Sequence, residues 1–213
     1  MLILSTMASP QYQPGVLTIT RLQYGGGGDW YEDPSSLPNL IAFTRQQTGI
    51  EIAPDEVRAA IGDDLFWKST YIYVTGHGNI RFTDEEAAML RRHLVAGAFL
   101  HADDNYGFDN YFRTEMKKVF PELDWVELPA DHAIFHIVFP FEEGLPKIHE
   151  HDGQPPQGFG LFYNGRLVAF YTYECDLGDG WEDPEVHDVP QNLREQALRM
   201  GTNIIVYTLT RPS

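Results

Sequence analysis

Carboxylates and imidazoles are the groups in this chain best suited to holding a cation or moving a proton. They recur in one kind of place, just after an apolar run that reads as a β-strand. Gly25 to Gly28 and Asp29 follow the run Val16 to Arg21, and Gly76, His77 and Gly78 follow Tyr71-Ile72-Tyr73-Val74. His101, Asp103 and Asp104 follow Ala98-Phe99-Leu100, and Asp131, His132 and nearby His136 follow Trp125 to Leu128. Glu174, Cys175, Asp176, Asp179 and Trp181 follow Leu167 to Tyr173. In an open α/β sheet, ligands bind beyond the carboxyl ends of the strands, so the recurrence points to one shared rim.

Each group also has a plainer use. Asp103-Asp104 is a carboxylate pair available to a cation or a sugar hydroxyl, or one of them, Asp104 in the first place, is an N-cap and the other is solvated, which leaves Asp103 as the better candidate for a functional acid. Asp131-His132 offers an acid–base or metal-ligating imidazole oriented by a carboxylate, or a turn around a hydrogen-bonded core histidine. In His149-Glu150-His151-Asp152, alternation along an extended chain splays the side chains apart, which favours a solvated loop. Asp176-Leu177-Gly178-Asp179-Gly180-Trp181-Glu182-Asp183 has the composition of a calcium loop without EF-hand spacing, and an acidic turn pinned by a tryptophan explains it too.

Gly26 and Gly27 lack the G-x-G-x-x-G pattern of a dinucleotide site. Like Gly76-His77-Gly78, they leave room for backbone amides to approach a ligand or simply to turn the chain. Trp30, Tyr31, Tyr106, Phe108 and Trp181 form an aromatic set able to stack on sugar rings or to pack the interior. Cys175 makes a poor nucleophile, because it enters an acidic loop that would raise its pKa, and no nucleophile elbow surrounds it.

Composition narrows the partners. With 15 basic and 31 acidic residues among 213, the chain carries a formal charge of −16. Nucleic acid and anionic lipid need cationic surface, so they are excluded as main partners. A cation, a sugar or a basic protein is easier to accommodate, or the acidity serves only to keep the protein soluble; the partner expected is a small molecule or carbohydrate, or an envelope protein, with a divalent cation as the possible cofactor. The single cysteine allows neither an internal disulfide nor a multi-cysteine zinc site, and no apolar run is long enough to cross a bilayer. Met1-Leu2-Ile3-Leu4-Ser5-Thr6-Met7-Ala8 resembles the back half of a secretory signal, with Thr6-Met7-Ala8 as its cleavage site. Export to the periplasm or beyond is one reading, and a frayed tail on a cytoplasmic protein is the other. Residues 1–15 are therefore set aside as signal remnant or tail, leaving 16–213 as one domain.

The elements that must position these groups are legible in part. Leu37 to Gln47 has a helical apolar face and a stop at Gly49, and Ile50-Glu51-Ile52 is a short strand candidate. Tyr71 to Val74 reads as a strand buried on both faces. Thr83-Asp84-Glu85-Glu86 fits a capping box, followed by Ala87, Leu90, Leu94 and Val95 at helical spacing. Strand, capped helix and strand make a βαβ unit, and hence parallel strands joined by a right-handed crossover. Asp103-Asp104-Asn105 then caps a helix running through Tyr111, Phe112, Met116 and Val119 to Pro121. Asn164-Gly165 between two strand-like runs is a hairpin signal. Gln191 to Met200 and Thr202 to Leu209 read as helical, with Ile204 to Tyr207 open to a strand reading. The fold class is α/β, a mostly parallel sheet with a C-terminal β-hairpin.

The ordered set Arg21-Leu22-Gln23-Tyr24-Gly25-Gly26, Tyr73-Val74-Thr75-Gly76-His77-Gly78, Phe82-Thr83-Asp84-Glu85-Glu86, Gly97-Ala98-Phe99-Leu100-His101-Ala102-Asp103-Asp104, Leu128 to Phe135, Asp176 to Trp181 and Gly201 to Tyr207 resembles an uncharacterised bacterial family of unknown function in the class I glutamine amidotransferase-like superfamily. The Gly97 strand and the Asp131-His132 segment are also similar to the ThuA-type branch. The resemblance implies a flavodoxin-like three-layer sandwich and an exported protein. Amidotransferases carry a cysteine on the turn after the central strand, where this chain has His101-Ala102-Asp103-Asp104, so the resemblance implies no thioester chemistry. A non-catalytic or ligand-binding domain follows, binding carbohydrate or an envelope partner. The alternative is a metal-assisted hydrolase built on Asp103, Asp104, His132 and Asp179.

Overall fold

The computed structural model describes residues 15–149 and 153–210. The signal-like segment, together with Glu150, His151 and Asp152, lies outside them. Seven strands form one sheet in the order β2-β1-β3-β4-β7-β6-β5. They are β1 (Ile19–Gln23), β2 (Val57–Ala60), β3 (Tyr71–Val74), β4 (Phe99–Asp103), β5 (Val126–Glu127), β6 (Gln157–Tyr163) and β7 (Arg166–Tyr173). β2, β1, β3, β4 and β7 run parallel, and β6 and β5 extend the sheet with antiparallel pairings. The parallel part has the strand order of flavodoxin-like sheets, with β7 in fifth place and β1 beside β3 at the switch point.

Helices cover both faces. Side chains alternate along a strand, so Ile72, Val74, Leu100 and Ala102 pack towards α2 (Asp64–Lys68), α3 (Asp84–Val95) and α4 (Asp109–Val119). Tyr71, Tyr73, Phe99 and Phe170 pack towards α1 (Ser36–Thr48), α5 (Leu177–Trp181), α6 (Gln191–Thr210) and the 3-10 turn Ala133–Phe135. This is a three-layer sandwich. α3 starts on the expected capping box, with the Thr83 hydroxyl accepting from Glu86 N and the Glu86 carboxylate accepting from Thr83 N, a device worth about 1 kcal/mol. Asn164 and Gly165 both take positive φ, 51° and 80°, which is the hairpin turn that Asn-Gly supplies.

Several expectations need correction. Of Ile50 to Ile52 only Ile52 pairs, in an isolated bridge to Leu17, and the edge strand is β2, beyond Pro54. Trp125 to Leu128 shrinks to the two-residue β5. Asp103, Asp104 and Asn105 do not cap α4: Asp103 ends β4 and the helix begins at Asp109. The C-terminal segment is one continuous helix through Gly201 and the Ile204 to Tyr207 run. Gly201 stays helical because a Cβ there would stand 2.5 Å from Leu40 Cδ1 and 2.9 Å from Trp181 Cζ2. Close contact between α6 and α1 outweighs the roughly 1 kcal/mol helix penalty of glycine.

Candidate functional site

The period of two that builds the sheet separates the carboxylate pair at the end of β4. Asp103 points to the α5 side, where it is fully buried and accepts hydrogen bonds from Gly178 N at 2.6 Å and from the Thr172 hydroxyl. Asp104 points to the α4 side and accepts from Tyr171 Oη at 2.6 Å and Glu174 N at 2.9 Å. They cannot hold one ion between them. Burial, reinforced by Asp176, pushes the Asp103 carboxyl well above the usual range. Asp103 steadies the α5 turn, whose residues carry the chemistry.

Two loops meet at this edge. Arg21 on β1 is fully buried and donates to the backbone carbonyls of Glu32 and Asp33 at 2.7 and 3.0 Å, and to Ser36 Oγ at 3.1 Å, while pairing with Glu56. It thereby fixes the loop after β1. Glu182 locks the loop after β7 onto the same place: its Oε1 accepts from Ser35 N at 2.8 Å and Ser36 N at 3.0 Å, satisfying amides at the start of α1.

Between these loops lies a cluster of three buried aspartates and two histidines. Asp179 Oδ2 is 2.8 Å from His149 Nδ1, and Asp179 Oδ1 is 3.3 Å from His187 Nε2. Asp176 Oδ2 is 3.6 Å from His149 Nδ1, and Asp33 Oδ1 is 3.7 Å from His187 Nε2. Two sets of donor atoms, from Asp33, Asp179 and His187 and from His149, Asp176 and Asp179, each fall within 4.8 Å of one another. Asp33 is 3% exposed, and its Oδ2 is buried with no hydrogen-bond partner. The crowding of acids shows in their protonation. Burial, then Asp179 and Asp176, raises Asp33 to about 8. Burial and Asp176 raise Asp179 to about 6 against the pull of His187 and His149. The hydrogen bond to Asp176, with added pull from Asp179, raises His149 to about 9. Divalent ions would relieve this crowding, and mixed carboxylate and imidazole donors suit Zn, Mn and their first-row neighbours.

A second, more open trio sits in the β1/β3 crevice. His77 Nδ1 is 2.8 Å from Glu32 Oε2 and 3.1 Å from Asp29 Oδ2, and Asn105 Nδ2 donates to Glu32 at 3.0 Å. Burial, then Asp33 and Asp29, lifts Glu32 to about 9. Tyr31 and Tyr106 are exposed nearby in sequence. Tyr106 lines a polar cleft of about 260 Å³ with Asp104, Asn105, Asp109, Asn110 and Glu174.

The family model for a domain of unknown function (DUF4159) matches residues 18–209. The chain belongs to the DUF4159 family. A comparison with curated proteins returns no match.

Within this DUF4159 domain the sequence-based candidates fall into three groups. Asp176 and Asp179 belong to the buried cluster, Asp103 braces it, and His77 joins the crevice trio with Gly76 and Gly78 on its own loop. Gly26 lies against the loop after β3, whereas a Cβ on Gly27 would meet nothing within 4 Å. A Cβ on Gly26 would lie 2.7 Å from Asn79 O, so the glycine permits close packing of the two loops.

Other candidates are structural. Trp181 is fully buried and donates to Ala197 O at 2.8 Å, Phe108 is fully buried, and Trp30 packs half-buried on the core, so of the aromatic set only Tyr31 and Tyr106 face solvent. His132 caps the 3-10 turn through Nδ1 and packs on Tyr207 of α6. Arg194, which holds Glu182 O beside the cluster, lies about 20 Å up the same helix at 1.5 Å per residue. Asp131 and His132 are therefore not brought to the aspartate cluster. Cys175 is buried, donates its thiol to Pro146 O, and is pushed well up by burial and Asp103, so it remains a thiol.

Sequence reasoning overlooked Arg21, Glu32, Asp33 and His187 as site-builders, took Glu182 only as part of an acidic stretch, and treated His149 as solvated. One signal was present: Glu-Asp-Pro occurs twice, at 32–34 and 182–184, each time just after a tryptophan-containing segment. Those are the two loops that meet.

Proposed function

We propose that this domain is a divalent-cation-binding α/β domain whose chemistry is metal-assisted hydrolysis at the carboxyl edge of the sheet. The observation that carries the reading is the convergence of Asp33, of His149, and of Asp176, Asp179 and His187 from three segments far apart in sequence, with one aspartate oxygen buried and unpartnered. A cation held there would polarise a carbonyl or phosphoryl oxygen and lower the pKa of a bound water into the neutral range. Reaction through Cys175 is disfavoured by its burial and raised pKa. The amidotransferase-like resemblance, in this reading, extends to architecture and not to thiol chemistry. The chain's charge of −16 favours cation capture in the same direction.

The test is metal analysis of purified protein together with thermal shifts on adding Zn(II), Mn(II), Mg(II) or Ca(II) to chelator-treated protein. A stoichiometric transition metal and a shift confined to Zn(II) and Mn(II) are expected. Protein that carries no ion and shifts with none of the four would overturn the reading.

A second reading is favoured by the polar cleft that Tyr106 lines, where an exposed ring shares the wall with carboxylates and amides. That pattern suits a carbohydrate, with the ring stacking and the acids accepting hydroxyl hydrogen bonds. A glycan array with wild type and Tyr106→Ala tests it; no sugar bound by wild type, or binding that survives the loss of the ring, eliminates it.

A further inference from the structure

We infer that the cation site is binuclear, with the Asp179 carboxylate as the bridge between two divalent ions. The inference rests on the cation-binding reading above and specifies its stoichiometry. Asp179 turns its two oxygens towards different histidines, Oδ1 to His187 Nε2 at 3.3 Å and Oδ2 to His149 Nδ1 at 2.8 Å. Each side has one further carboxylate of its own, Asp33 on the His187 side and Asp176 on the His149 side. Two half-sites result, each with one imidazole nitrogen, one private carboxylate and one oxygen of the shared carboxylate.

The spacing fits metal coordination. Ligands about 2.1 Å from an ion stand about 3.0 Å apart at an octahedral edge and about 3.4 Å apart at a tetrahedral one. The four imidazole–carboxylate separations run from 2.8 to 3.7 Å. On the His187 side both separations, 3.3 and 3.7 Å, exceed the usual N–H···O length of about 2.7–3.2 Å, so hydrogen bonding leaves this half loosely satisfied. Asp33 supplies the independent sign of a ligand: it is 3% exposed, its Oδ1 stands 3.7 Å from His187 Nε2, beyond hydrogen-bond length, and its Oδ2 has no hydrogen-bond partner. Space for that oxygen exists because residue 178 is glycine: a Cβ there would lie 2.7 Å from Asp33 Oδ2. A carboxylate bridging two ions roughly 3.5–4 Å apart is the arrangement of two-metal hydrolytic centres, and three protein ligands per ion leave positions for water and substrate.

The full chain, stripped with chelator and reloaded with Mn(II), separates the outcomes. Two Mn(II) per chain with an exchange-coupled EPR spectrum are expected, and His149→Ala and His187→Ala should each reduce the count to one, with the six-line spectrum of an isolated ion. His149 is more than half exposed, so its substitution leaves the fold intact even if Asp179→Asn does not. One ion per chain in wild type would overturn the binuclear inference and leave the cation reading standing. No ion would overturn both. Two uncoupled ions, or a coupled pair surviving both histidine substitutions, would place the metals elsewhere and overturn the inference.

Discussion

Asp33→Asn should make the metal-free protein more stable and the metal-loaded protein less responsive. Asp33 sits at φ +52°, a left-handed conformation that asparagine tolerates as well as aspartate, so the backbone needs no adjustment. Its carboxyl is raised from 3.8 to about 8, first by burial and then by Asp179, Asp176 and Glu182. Between those values the folded state holds a proton that the unfolded state has released. Stability is therefore fully present below about pH 4 and falls by roughly 1.4 kcal/mol per pH unit towards pH 8. At pH 7 the loss amounts to about 4 kcal/mol. Asparagine stays neutral at every pH, so the cost of ionising residue 33 inside the folded protein disappears. A gain of about 2–4 kcal/mol at pH 7, or on the order of 10 °C in Tm, is expected. The assay is urea unfolding in chelator at several pH values from 4 to 8, repeated with saturating Mn(II). Wild type should gain about 3 kcal/mol for each bound ion at a hundredfold excess of free ion over Kd, and the variant much less. A variant less stable than wild type at pH 7 in chelator, or one with an unchanged pH slope, would refute the reasoning.

Other substitutions probe the surrounding architecture. Gly178→Ala should leave the circular dichroism spectrum unchanged but weaken Mn(II) binding at least tenfold by titration calorimetry, since the new Cβ would meet Asp33 Oδ2 at 2.7 Å. His101, fully buried among Tyr71, Tyr73, Phe170 and Trp181, is pushed down to about 3 by burial. The unfolded chain binds its proton first as pH falls, so stability drops by about 4 kcal/mol between pH 6.5 and 3. His101→Phe should lower the acid-unfolding midpoint, and an unaltered midpoint would count against this account. Cys175 should resist iodoacetamide in native protein at least a hundredfold better than in urea, measured by mass spectrometry, because it is a buried thiol and not a thiolate.

What could be read in advance follows from the range of the forces involved. The Thr83 capping box, the Tyr71 to Val74 strand and the Asn164-Gly165 turn are local, and their residues carry the instruction within a few positions. β2 was hidden because an edge strand of four residues, with Arg58 exposed between Val57 and Ala59, has too little apolar pattern to register. α4 starts later than Asp103-Asp104-Asn105 suggested because Tyr171 and Glu174, remote in sequence, claim the Asp104 carboxylate. The candidate centre was half legible. The opposite facing of Asp103 and Asp104 was missed because the strand, read as ending at Leu100, runs on to Asp103, whereas Asp176 and Asp179 stood out by composition. Asp33 and His187 did not, because their value depends on Arg21 and Glu182 pulling two loops together. His132 looked like a site residue only because its position along α6 was unknown.

The clamp in which Glu182 seats on the amides of Ser35 and Ser36 joins positions 147 and 146 residues apart. Contacts of such long range close late, after the chain between them has ordered. During synthesis the first half of the centre would wait, incomplete, until the last quarter of the polypeptide emerged. Ion uptake would then report on maturation: a nascent or nicked molecule could present its sheet and most of its helices, yet only a finished one would be able to arm itself.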